Sequence, residues 1–165
     1  MIRILVIHFS FTSRVRQLAG EISEELEKTG EVTRAVIQPL AQRSVRSWLA
    51  RSFIPGWREP IRPTIVDQTS YDLVCLGSPK WTFNCPPVSE YIHQMQCRAD
   101  QPLAIFMSFG GFDQERYLKS LVRKVGRRGA RVVATLAVRR AAVQRGDYRQ
   151  DLLEFCRRAV AQVRH

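Results

Sequence analysis

Five apolar runs, Ile2–Phe9, Val32–Ile37, Leu73–Gly77, Leu103–Ser108 and Val132–Val138, alternate with segments of helical spacing. That rhythm leaves few folds open. A strand that is apolar throughout must be buried on both faces, which in an alternating chain means a parallel sheet between two helix layers. The helical segments each show one apolar stripe: Val15, Leu18, Ala19, Ile22 and Leu26 in the first, Val88, Tyr91, Ile92 and Met95 in the next. Leu118, Leu121, Val122 and Val125 make another, and Leu152, Cys156, Ala159, Val160 and Val163 the last. Five strands in 165 residues predict a single domain, residues 1–165, folded as a three-layer α/β/α sandwich.

In such a sheet, ligands bind beyond the carboxyl ends of the strands, where the strand order reverses. Three loops of distinctive composition are expected to gather there. The first, Ser10-Phe11-Thr12-Ser13-Arg14-Val15-Arg16, brings three hydroxyls to the start of a helix whose acids, Glu21, Glu24, Glu25 and Glu27, all come late. An anion at the helix N-terminus rationalises that order, because the helix dipole alone favours the reverse. Without an anion, Thr12 or Ser13 is an ordinary N-cap.

The second loop, Gly77-Ser78-Pro79-Lys80-Trp81-Thr82-Phe83-Asn84-Cys85-Pro86-Pro87, holds two aromatics between prolines, an arrangement suited to stacking on a planar ring. An aromatic folded back onto the core is the plainer alternative. The third, Ser108-Phe109-Gly110-Gly111-Phe112-Asp113, offers paired glycines for close approach of backbone to a ligand, with Asp113 placed to cap the next helix.

These residues resemble the flavodoxin-like FMN-binding family over essentially the whole chain. The hydroxyl-rich turn follows the family's Ser/Thr-x-Thr-Gly-x-Thr, and Tyr71-Asp72-Leu73-Val74-Cys75-Leu76-Gly77-Ser78-Pro79-Lys80-Trp81 follows its YDxVxxGSPxW. Ser108-Phe109-Gly110-Gly111 follows its Ser/Thr-x-Gly-Gly. The resemblance implies a five-stranded parallel sheet in the order 2-1-3-4-5 and an FMN cofactor. It places the ribityl phosphate on Ser10, Thr12, Ser13, Arg14 and the Val15 backbone. The isoalloxazine ring falls to Ser78, Pro79, Lys80, Trp81, Thr82, Phe83 and Asn84, with Ser108, Phe109, Gly110 and Gly111 along its other side. Two positions depart from the pattern: Ser13 replaces the glycine and Val15 the last hydroxyl. A charge-assisted hydrogen bond is worth about 1.5–3 kcal/mol, and the Arg14 guanidinium is placed to restore it.

The stretch Pro39–Pro63 breaks the rhythm, with Trp48, Phe53, Trp57, four prolines and five arginines against the single acid Glu59. A short basic amphipathic helix over Ala41–Phe53, stopped at Pro55-Gly56, is expected to cover one sheet face with Val45, Trp48, Leu49 and Phe53. A lid over a ligand and a surface for an acidic partner are the alternatives.

The net charge of +11 is concentrated: residues 114–165 carry 14 Lys/Arg against 4 Asp/Glu, residues 1–113 carry 12 against 11. Such a field favours an acidic protein, nucleic acid or an anionic membrane surface, although no nucleic-acid motif is present. The four cysteines lack zinc spacing, no apolar run is long enough to span a membrane, and the chain is expected in the cytoplasm. No catalytic triad, carboxylate pair or metal set is apparent. His8 is expected as a packed core residue rather than a catalyst, and Lys80 as a positive charge near the flavin.

The function expected is electron transfer to an acidic redox partner or to a small acceptor such as a quinone. An FMN-dependent NAD(P)H:quinone oxidoreductase is one alternative. A flavodoxin-like scaffold with weak or lost FMN and a basic docking surface is the other.

Overall fold

The structure, a computed structural model, describes residues 1–9, 11 and 13–163. Ser10 and Thr12, expected at the phosphate turn, lie outside the described residues. The elements run β1 (Ile2–His8), α1 (Ser13–Leu26), β2 (Gly30–Val36), α2 (Val45–Ser52), β3 (Leu73–Pro79) and α3 (Pro86–Gln94). They continue with β4 (Gln101–Phe109), α4 (Gln114–Gly126), β5 (Ala130–Arg139), α5 (Arg140–Arg145) and α6 (Arg149–Ala161).

All strand pairs are parallel, in the order β2-β1-β3-β4-β5. The chain reverses direction across the sheet between β1 and β3, so a crevice opens beyond His8 and Pro79. One core, with Ile4, Val6, Phe106 and Leu136, packs under α1, α5 and α6. The other, with Leu5, Ile7, Leu76 and Ile105, packs under α3 and α4.

The expectation that every strand is buried on both faces holds for β3 and β4 throughout and for β1 from Ile4 onward. It fails at the edges. Strand β2 has no fully buried position, and β5 buries Ala134, Leu136 and Val138 while exposing Arg131, Thr135, Ala137 and Arg139. An edge strand has a neighbour on one side only, so alternation suffices there.

Helix α2 is shorter than expected and does not cover a sheet face. Ser44 caps it, accepting a hydrogen bond from the Ser47 N–H at 3.3 Å. Trp48 and Ser52 are buried, but Val45, Leu49 and Phe53 stay exposed. The sheet face is covered instead by Ile61, Ile65 and Val66, which join the α3/α4-side core. Helix α5 was not expected, because its stripe is a single buried residue, Val143.

Candidate functional site

Helix α2 is held at the carboxyl edge of the sheet by polar groups rather than by its apolar stripe. Ser52 Oγ donates to Thr82 Oγ1 at 3.2 Å, and the Phe83 N–H to the Ser52 carbonyl at 3.0 Å. Asn84 Nδ2 donates to the carbonyls of Ile54 at 3.2 Å and Trp57 at 2.7 Å. The buried Glu59 carboxylate accepts from Arg43, Arg51 and, at 3.1 Å, the Trp57 indole N–H. Desolvating a carboxylate is costly unless it is paired, and two guanidinium groups here meet that requirement.

This scaffold places Trp48 over the β1/β3 crevice. Its ring meets Trp81 at 5.7 Å between centroids with a 35° tilt, and Phe9 at 6.3 Å edge-on. Trp81 also meets Phe9 at 5.6 Å and Phe11 at 6.2 Å, both edge-on. Four aromatic rings from the loops after β1 and β3 and from α2 thus share one spot. Trp81 does fold back onto the core, and its ring is half-buried there. Phe9, Phe11 and Trp48 carry no family motif and were not among the expected ring contacts. The alternation Phe9-Ser10-Phe11-Thr12 is the signal that marks the first two, since period-two spacing sends both rings to one side.

The start of α1, on the other face of the sheet, has no acid in its first turn. Arg14 Nε is buried without a hydrogen-bond partner among the described residues. Val15 is fully packed in the core, so only its backbone N–H faces the helix N-terminus. His8, at the end of β1, is 8% exposed, and neither ring nitrogen has a partner among the described residues. Burial, with the nearby Arg16 charge second, pulls its pKa to about 4, so the imidazole is neutral at neutral pH. Buried polar atoms are ordinarily satisfied, which makes this a place with unmet donor and acceptor capacity.

The loop after β3 divides into residues that face the crevice and residues that hold the loop. Ser78 is fully buried, and its hydroxyl donates to the Pro79 carbonyl at 2.8 Å. Tyr117 donates to the same carbonyl at 3.3 Å. The Asn84 Oδ1 accepts from Ser89 and, at 3.4 Å, from Lys124 Nζ, so all of its polar atoms are engaged. Thr82 is tied to Ser52, and Phe83 turns outward onto Phe53. Lys80 donates its backbone N–H to the Ser108 carbonyl at 2.8 Å, while its ammonium lies 6.0 Å from the exposed Phe112 ring. Cys85 is buried, and burial pushes its thiol up to about 12, which removes it from thiolate chemistry. The Lys124 ammonium beside it is shifted down, chiefly by desolvation.

The two glycines of the Gly-Gly loop have different surroundings. A Cβ on Gly110 would lie 2.9 Å from the Arg140 guanidinium carbon, whereas one on Gly111 would meet open space. The close approach at Gly110 is therefore used by Arg140. Ser108 and Phe109 are buried, and Arg139 sits over the Phe109 ring at 5.1 Å. Asp113 occupies the N-cap position of α4 but is left-handed (φ 67°) and makes no capping hydrogen bond; its carboxylate lies 3.9 Å from Arg116. Gly77 is constrained from both sides, since a Cβ there would collide with Phe106 and His8.

No protein-family model matches the chain. An uncharacterised protein of Archaeoglobus fulgidus is 29% identical over 125 residues, which cover 74% of this chain and 78% of that protein. Among solved structures, oxidised flavodoxin 2 from Bacillus cereus aligns with TM-score 0.68 at 16% identity, over 97% of this chain and 99% of that one. A flavoprotein in complex with FMN from Lactobacillus acidophilus NCFM aligns with TM-score 0.63 at 13% identity, over 88% of this chain and 98% of that one. At such identities the likeness is one of architecture, and it agrees with the 2-1-3-4-5 sheet. The chain adopts the flavodoxin-like fold.

Proposed function

We propose that this chain binds FMN in the β1/β3 crevice and serves as an electron-transfer flavoprotein. The observations that carry the reading are the cluster of Phe9, Phe11, Trp48 and Trp81 rings at the carboxyl ends of β1 and β3 and, toward the α1 side of the sheet, an Arg14 Nε and a His8 imidazole buried without partners among the described residues. A phosphate attached to a flat ring would supply acceptor oxygens at the start of α1 and a ring to stack on the accessible parts of Phe11 and Trp81. The solved neighbours include a flavoprotein in complex with FMN and several flavodoxins, which supports the same ligand.

Bound FMN would bring the redox chemistry with it. The chain's own residues would bind, orient and shield. Ser10, Thr12 and Ser13, with the backbone N–H groups at the start of α1, are the assigned phosphate ligands, and Arg14 replaces the hydroxyl that Val15 lacks. Trp81, half-buried, would stack on the ring, with the buried Trp48 packed behind it. Lys80 would place positive charge beside the crevice. Ser78, Thr82 and Asn84 act by holding the loop rigid, since their side chains are spent on internal hydrogen bonds. Purified protein carrying flavin absorbance, or taking it up on addition of FMN, is the expected result; a chain that does neither contradicts the proposal.

The protein partner in this reading is acidic, because the net charge of +11 is large for a chain of this size. Its association is expected to weaken steeply with added salt, and salt-independent electron transfer would contradict that.

One observation favours the enzyme alternative. A cavity of about 260 Å³ beside the Gly-Gly loop is lined by Phe109, Gly110, Arg139, Arg140 and Gln144. Two guanidinium groups there suit the phosphates of a reduced nicotinamide dinucleotide. Turnover of NAD(P)H with a quinone, weakened in R139Q/R140Q while FMN content holds, would select this alternative over the carrier.

A further inference from the structure

The stripe that α2 was expected to bury, Val45, Leu49 and Phe53, is 55%, 46% and 56% exposed. Ile54 and Phe83 continue it at 46% and 47% exposure, with the Phe53 and Phe83 rings 6.1 Å apart. A cleft of about 180 Å³ between Pro55, Phe83 and Asp113 joins this surface to the loop that carries Phe112, which is 84% exposed. Six large apolar side chains from three separate segments therefore stand in water at one edge of the sheet. Singly exposed apolar residues are ordinary; a contiguous set marks a docking surface.

The surrounding charge is positive. Residues 40–58 contain Arg43, Arg46, Arg51 and Arg58 and no acid. The nearest acid in sequence, Glu59, is buried and already shared by Arg43 and Arg51. Lys80 borders Phe112, and Asp113 on the same loop is paired with Arg116. Glu90 on α3, 3.7 Å from Arg58, and the exposed Glu115 at the start of α4 are further carboxylates on that side, which leaves Arg46 and Lys80 as the cations without an acidic partner among the described residues.

We infer that this face docks on an anionic lipid bilayer, with Val45, Leu49, Phe53, Ile54, Phe83 and Phe112 entering the headgroup boundary and the arginines meeting lipid phosphates. A second copy of the chain is disfavoured, because it would bring two arginine-rich rims together. A protein partner is disfavoured by the side chains themselves. Interface anchors are typically Trp, Tyr and Arg with polar tips to pair, whereas phenyl and aliphatic ends ringed by Arg are the composition of surface-lying membrane helices. No helix among the described residues is long and apolar enough to cross a membrane, so the contact is peripheral. The same face adjoins Trp48 and Trp81. If the FMN reading holds, the flavin edge then lies beside the phase in which a lipid-soluble quinone would be delivered; the docking itself does not depend on that reading.

The test is co-sedimentation of the full chain with vesicles of phosphatidylcholine containing phosphatidylglycerol, beside vesicles of phosphatidylcholine alone, with flavin content recorded separately. The wild type is expected to pellet with the anionic vesicles and to stay in solution with the neutral ones. L49S and F53S, both at exposed positions, are each expected to lower partitioning about tenfold with unchanged thermal unfolding. Failure of the wild type to bind anionic vesicles overturns the inference, including the case in which L49S and F53S abolish binding to an acidic protein instead. Vesicle binding that is indifferent to both substitutions also overturns it, because the charge of the C-terminal third would then suffice.

Discussion

Trp48 and Trp81 lie with their ring centroids 5.7 Å apart, one on a helix between β2 and β3 and the other two residues past the end of β3. The contact couples the arginine-rich insertion to the candidate flavin crevice, so anything that moves α2 is felt by the ring expected to stack on a ligand. Replacing Trp81 by Ala is expected to weaken FMN binding by about 2 kcal/mol, roughly thirty-fold in Kd. A titration in which W81A binds like the wild type would remove Trp81 from the site.

Glu59 is the anchor of that insertion. Glu59→Gln leaves Arg43 and Arg51 without their shared carboxylate, and the cost is expected at about 1–3 kcal/mol because both guanidinium groups keep some contact with water. The loss should be local. Hydrogen exchange is expected to rise across residues 43–59 while the strands stay protected, and a uniform rise across the sheet would contradict the anchoring role.

His8 gives the fold a pH dependence of defined sign. Its folded pKa of about 4 lies below the unfolded value of 6.5, so the unfolded chain binds the extra proton in that window. Stability from this group is full above about pH 6.5 and falls between pH 6.5 and 4, by up to roughly 3 kcal/mol. His8→Gln should flatten that part of the urea-midpoint profile. A profile that keeps its slope in the variant would assign the effect elsewhere.

The central strands were legible because burial on both faces leaves no room for polar residues, as in Leu73–Gly77 and Leu103–Ser108. The fold follows from them, since parallel strands alternating with amphipathic helices permit few arrangements. What stayed hidden depended on tertiary context. The stripe of Val45, Leu49 and Phe53 reads as a core face, yet α2 is held by Ser52 and Asn84, whose partners lie thirty residues away, and by Glu59. Gly110 reads as room for close approach, and the neighbour that comes close in this structure, Arg140, lies thirty residues on. Asp113 has the right identity for a cap and the wrong backbone angle. Ser78 and Asn84 match the motif, while their polar atoms serve the loop.

The central claim is that a phosphate-bearing flavin occupies the β1/β3 crevice, and comparing FMN with riboflavin tests it most directly. The account predicts saturable binding of one FMN per chain, with riboflavin at least about tenfold weaker for want of the phosphate. Arg14→Ala should cost FMN about ten- to a hundredfold in Kd and leave riboflavin unchanged. Absence of FMN binding, or equal binding of both flavins with no response to Arg14→Ala, would contradict it.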